Sequence, residues 1–312
     1  MRRLHAPTHL DIHDRDIDDV LTMDESGKEK TALVFAGGGS LGAVQVGMLK
    51  ALVRQHIVPD LVVGASVGAI NGAYFAAAAN EEGVARLERI WLRLRRADIF
   101  PFSPINGVLS FIGHRDYLVT PAPLRALIES ELPYHRLEDA RIPCHVVATD
   151  VLEGTEVTLS SGAASLALLA SAAIPAIYPP VAINGRYLMD GGVANYTPIS
   201  TAVALGASRV IILPTGAPCA LHTLPRGAVA LLLHALNLII MRQLILDIER
   251  FKGQAELIVI PPLCPLTVTP YDFSQTPELI QRAEATTRLW LKKHGMQGAG
   301  PPPALLSHSH DK

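Results

Sequence analysis

Short apolar runs alternate with stretches of helical periodicity along most of this chain. Residues 31–36 (TALVFA) predict a strand, and 40–55 a helix of small and aliphatic residues. A second short strand is predicted at 61–64, followed by a small-residue helix over 66–80 and an amphipathic helix over 82–95. From Phe100 to Thr120, Pro and Gly break the pattern into loop with short helices. Helical spacing returns at 122–132, strands are predicted at 143–151 and 155–162, and a helix runs over 163–174 up to Pro175. The apolar run 207–216 predicts a buried strand, 225–251 a long helix, 255–263 a further strand and 276–294 a closing helix. Strands alternating with helices predict a three-layer α/β/α sandwich around a mostly parallel sheet. In such sheets, sites form beyond the carboxyl ends of the strands.

The two ends break this pattern. Residues 1–30 are polar and acidic and predict a loosely ordered arm, while the Gly/Pro/His-rich residues 296–312 predict a frayed tail. The domain proper is then expected over 31–295. The basic start lacks the apolar run of roughly 7–15 residues of a secretory signal. Fifteen residues between Arg226 and Arg242 are almost wholly apolar, but a spanning helix needs about 20. The expected setting is therefore cytoplasmic, with contact at a membrane surface left open to the apolar segments. Of the 312 residues 18% are charged, with a net charge of −2, which gives no reason to expect nucleic acid. Cys144, Cys219 and Cys264 stand far apart, without the spacing of a disulfide framework or a zinc site.

Two glycine motifs carry the candidate chemistry. Gly37, Gly39 and Gly42 satisfy G-x-G-x-x-G after the first strand, a dinucleotide-binding fingerprint. The same loop, with backbone N–H groups converging at a helix start, equally suits an oxyanion. Gly64, Ser66 and Gly68 form G-x-S-x-G after the second strand and before a helix, the context of a nucleophile elbow. There, a sharp turn exposes the serine Oγ, and small neighbours are needed where backbones cross. A dinucleotide site instead needs an acid at the end of the second strand. Asp60 precedes that strand, so the carboxylate is at the wrong end. No Gly-Lys-Ser/Thr follows the glycines, which removes a Walker loop. An oxyanion loop beside a nucleophile fits both motifs at once.

The ordered motifs GGGSLG (37–42), GASVG (64–68) and DGG (Asp190, Gly191, Gly192), with the segment 167–213 around the last, resemble the patatin-like phospholipases. The resemblance covers roughly residues 31–215. It implies a fold related to the α/β-hydrolases and a serine acyl hydrolase acting on lipid at a membrane surface, with no metal or cofactor. It further implies Ser66 as nucleophile, Asp190 as base, and the backbone N–H groups of Gly37, Gly38, Gly39 and Ser40 as oxyanion hole. One position departs from the family: Leu41 stands where many members carry Arg or Lys.

A dyad makes a physical demand. A free Asp has a pKa of about 3.9 against about 6.5 for His, so Asp190 needs burial to become a better proton acceptor. Met189 and the Ala/Ile/Val-rich segment before it supply apolar surroundings. Two rivals stand beside this reading. A Ser-His-Asp esterase would draw its histidine from His222, His234 or His294, which follow Asp190. A non-catalytic lipid-binding module on the same scaffold draws on Leu41 alone.

Overall fold

The computed structural model describes residues 29–101, 117–216, 227–298 and 300–306. Residues 1–28 of the predicted N-terminal arm, most of the Pro/Gly-rich stretch before Thr120, and His222 fall outside them. Eight strands form one sheet: β1 (Thr31–Phe35), β2 (Leu61–Ala65), β3 (Cys144–Asp150), β4 (Glu156–Leu159), β5 (Val181–Ile183), β6 (Arg186–Asp190), β7 (Arg209–Leu213) and β8 (Glu256–Val259). The order is β5-β6-β3-β2-β1-β7-β8, with β4 also paired to β3. Strands β3, β2, β1, β7 and β8 are mutually parallel, while β4, β5 and β6 join antiparallel. The sheet is therefore mixed around a parallel centre, as a mostly parallel sheet was expected to be.

The helices that position the site are α1 (Gly42–Val53), α2 (Val67–Ala77), α3 (Glu81–Arg93), α4 (Arg96–Ile99), α5 (Ala122–Glu131), α6 (Ala164–Ser171), α7 (Gly192–Asn195), α8 (Ile199–Ala204), α9 (Ala228–Phe251) and α10 (Thr276–His294). They cover both faces of the sheet. Along β1, Leu33 and Phe35 pack with residues of α1, α2, α3 and α10, while Ala32 and Val34 pack with Ile199 and Ala202 of α8 and Leu244 and Ile248 of α9. The side-chain period of two thus divides one strand between two cores, as expected for a strand buried on both faces. In the C-terminal segment, Leu305 of a short 3-10 turn joins the second core. Among the described residues, no helix is long and apolar enough to cross a membrane.

The hairpin β5–β6 was not expected from the chain's periodicity. Its signal is Asn184-Gly185, which turns with φ of 50° and 79° between VAI and RYL. Both central residues lie at positive φ, the requirement of a type I′ hairpin turn. This hairpin carries Asp190. In register, Val147 of β3 pairs with Ala65 of β2, and the next residue, Ala148, pairs with Asp190. The ends of β2 and β6 therefore meet on adjacent rungs of β3.

Candidate active site

At the end of β2 the chain turns through Ser66, with φ 56° and ψ −130°, into α2. Positive φ costs a non-glycine residue roughly 1–3 kcal/mol, so surrounding bonds must hold it. The Ser66 amide donates to Ser171 Oγ at 2.8 Å, and Ser171 Oγ–H donates to the Val147 carbonyl at 2.6 Å. Ser171 thus ties the elbow to β3. Its role was missed in the sequence because a serine in an alanine-rich helix carries no motif. The motif glycines serve close approach: a Cβ on Gly68 would lie 2.4 Å from the Phe35 and Ala36 carbonyl oxygens, and one on Gly64 2.6 Å from the Gly68 oxygen. Only glycine lets α2 cross β1 this closely.

Ser66 Oγ–H donates to Asp190 Oδ2 at 2.6 Å. Both residues are buried, at 7% and 6% exposure. The other carboxylate oxygen, Oδ1, accepts the Gly192 amide at 2.7 Å. The Asp190 backbone is fixed on both sides: its amide donates to the Ala173 carbonyl at 2.9 Å, and its carbonyl accepts Thr149 Oγ–H at 2.8 Å. A Cβ on Gly191 would fall 2.1 Å from the Val147 oxygen, so this turn lies directly against β3. Burial pushes the Asp190 carboxyl up to about 6 from its ordinary 3.8; its bonds from Ser66 and Gly192 draw it back down in part. Desolvation of the charged form wins, and the carboxylate is a stronger proton acceptor than one in water.

In the glycine loop the four amides differ in their partners. Of the four amides expected to converge, that of Gly37 donates to the Tyr196 carbonyl at 3.0 Å and that of Ser40 to the Pro270 carbonyl at 2.7 Å. Both are occupied by the fold itself, since these bonds anchor the loop to the segments after β6 and β8. The amides of Gly38 and Gly39 have no partner among the described residues. Gly39 sits at φ 57°, and both it and Ser66 line the same cleft. Thr215 Oγ–H donates to the Gly37 carbonyl at 2.6 Å, and Gly42 opens α1 against Val67 and Trp91. Leu41 is fully buried in the apolar core, so this position brings no cation to the loop.

The cleft has a volume of about 650 Å³, its open mouth included. Besides Ser66 and Gly39, its walls include Ile70, Tyr74, Leu87, Trp91, Leu127 and Phe273. Trp91 stacks on Phe273 with ring centroids 6.2 Å apart. Such a lining accepts a hydrocarbon chain and offers little to a charged ligand. Asp60 lies elsewhere: it accepts the Thr31 amide at 2.8 Å, bridging the starts of β1 and β2. It is at the opposite end of these strands from Ser66. Among the described residues, no histidine hydrogen-bonds to Ser66 or Asp190, and His294 stacks on Trp290.

The family model described as patatin-like phospholipase matches residues 33–203, more than half of the chain. The chain belongs to the patatin-like phospholipase family. Ser66 and Asp190 both lie inside the matched region of this patatin-like chain. Rat patatin-like phospholipase domain-containing protein 7 is 30% identical over 187 residues, 59% of this chain and 13% of that protein. The Drosophila melanogaster neuropathy target esterase is 27% identical over 187 residues, again 13% of its length. An uncharacterized NTE family protein of Mycobacterium bovis is 28% identical over 190 residues, 60% of this chain and 49% of that one. This patatin-like chain therefore spans half or less of the length of these relatives. Among solved structures, VipD from Legionella pneumophila aligns over 85% of this chain and 67% of its own, with a TM-score of 0.44 and 15% identity.

Proposed function

We propose that this chain is a serine acyl hydrolase cleaving fatty acyl esters of lipids through a Ser66–Asp190 dyad and a covalent acyl-enzyme. The observation that carries this reading is the 2.6 Å bond from Ser66 Oγ to a buried carboxylate, made at a positive-φ elbow beside an apolar cleft. Ser66 Oγ attacks the ester carbonyl carbon as its proton passes to Asp190 Oδ2. The Gly38 and Gly39 amides receive the negative oxygen of the tetrahedral intermediate. The ester C–O bond breaks, and the leaving alkoxide takes the proton from Asp190. Water then attacks the acyl-enzyme while Asp190 accepts its proton, and the fatty acid leaves as Ser66 regains a proton. The acyl chain occupies the cleft. Exposed Leu231, Leu238, Ile239 and Leu246 of α9 support contact with a lipid surface.

The test is hydrolysis of p-nitrophenyl laurate and of phosphatidylcholine vesicles by wild type, Ser66→Ala and Asp190→Asn. Each substitution is expected to lower kcat by about 10³-fold or more, with cooperative unfolding retained. Full activity in either folded variant contradicts the dyad. Lipid binding without hydrolysis by wild type favours a non-catalytic module.

A further inference from the structure

Three buried polar side chains outside the dyad form a continuous chain from the cleft to the glycine loop. Trp91 Nε1–H donates to Asn71 Oδ1 at 2.8 Å. Asn71 Nδ2 donates to Gln45 Oε1 at 2.8 Å and to the Gly42 carbonyl at 3.0 Å. Gln45 Nε2 donates to the Ala36 carbonyl at 2.8 Å and to the Leu213 carbonyl at 2.9 Å. Gln45 and Asn71 are fully buried and Trp91 is 4% exposed. Both amide groups use both of their N–H donors, and each amide oxygen accepts one bond. Buried amides are costly unless satisfied, and a satisfied network fixes one arrangement of the groups it joins.

The attachment points give the network its meaning. Ala36 and Gly42 are the residues on either side of the loop 37–41, so the network grips both ends of the segment carrying the Gly38 and Gly39 amides. Its members sit on α1, which leaves that loop, on α2, which begins directly after Ser66, and on α3, whose Trp91 lines the cleft. We propose that Gln45 and Asn71 are positioning residues, held in turn by Trp91, that set the glycine-loop amides against the nucleophile. This rests on the acyl-hydrolase reading above. An amide displaced from the developing oxyanion weakens transition-state stabilisation and leaves ground-state binding nearly unchanged, so the effect belongs in kcat.

The test uses the full chain as Gln45→Met, which keeps the side-chain length and loses the bonds, and as Trp91→Phe, which keeps an aromatic side chain, though a smaller one, and loses Nε1–H. Steady-state kinetics are measured on p-nitrophenyl acetate, whose acyl group is too short to probe the cleft walls, beside thermal unfolding. The expected result is a kcat at least tenfold lower in Gln45→Met with KM within twofold, and a smaller fall of the same kind in Trp91→Phe. A folded Gln45→Met enzyme with wild-type kcat overturns the proposal. If Gln45→Met does not fold, wild-type kcat in folded Trp91→Phe overturns it instead. Inactive wild-type protein overturns the hydrolase reading, and the proposal with it; active wild type with unaffected variants overturns only the positioning role.

Discussion

A carboxylate in water is a weak acceptor for a serine proton, with a pKa of about 3.9. Asp190 is moved toward usefulness by burial, up to about 6. Two consequences of opposite sign follow. The proposed dyad needs the ionised form, so kcat/KM is expected to fall about tenfold per pH unit below about 6, in a pH–rate profile of any hydrolysed ester. Flat activity down to pH 4 contradicts Asp190 as base. Stability runs the other way. The folded value exceeds the unfolded one, so the native state is favoured fully below about 4 and loses that advantage as pH rises through about 6. The rise from 3.8 to about 6 is worth on the order of 3 kcal/mol. Asp190→Asn is therefore expected to melt higher than wild type at pH 8 and close to it at pH 4. A variant that gains nothing at pH 8 contradicts the buried, ionised carboxylate.

Among the elements, the proposed function gives the apolar cleft between α2, α3 and α5 the acyl chain and leaves the chemistry to Ser66. Leu127, on α5, lines the cleft and is only half-buried, so a larger side chain there intrudes without overpacking the core. Leu127→Trp is expected to lower kcat/KM for the laurate ester about tenfold and leave the acetate ester within twofold. An equal effect on both esters places the acyl chain elsewhere. The parallel strands were legible in sequence because burial on both faces makes them continuous apolar runs; four of the five residues of β1 are buried. Strand β6 was not, because RYLMD mixes two exposed, one half-buried and two buried positions. Its hairpin turn, Asn184-Gly185, was the signal available. The elbow at Ser66 was legible because its glycines answer a local steric demand. The choice of amides within the glycine loop was not, because Tyr196 and Pro270 claim two of them from far along the chain.

Across the whole molecule, the site depends on residues that the family match does not include. That match ends at residue 203, yet Thr215 holds the Gly37 carbonyl and Pro270 holds the Ser40 amide. Strands β7 and β8 complete the parallel centre, and α10 packs against α1 closely enough that a Cβ on Gly47 would lie 2.3 Å from the Ile280 oxygen. The glycine loop is thus set by both halves of the chain, and the proposed chemistry is best tested in the intact protein. The most direct measurement is exposure of the full chain to a fluorophosphonate, with the adduct located by peptide mass spectrometry. A single adduct on Ser66, formed at least tenfold more slowly in folded Asp190→Asn, is the expected result. A folded wild-type protein that takes no adduct at Ser66, or an Asp190→Asn variant that reacts as fast, contradicts an activated serine.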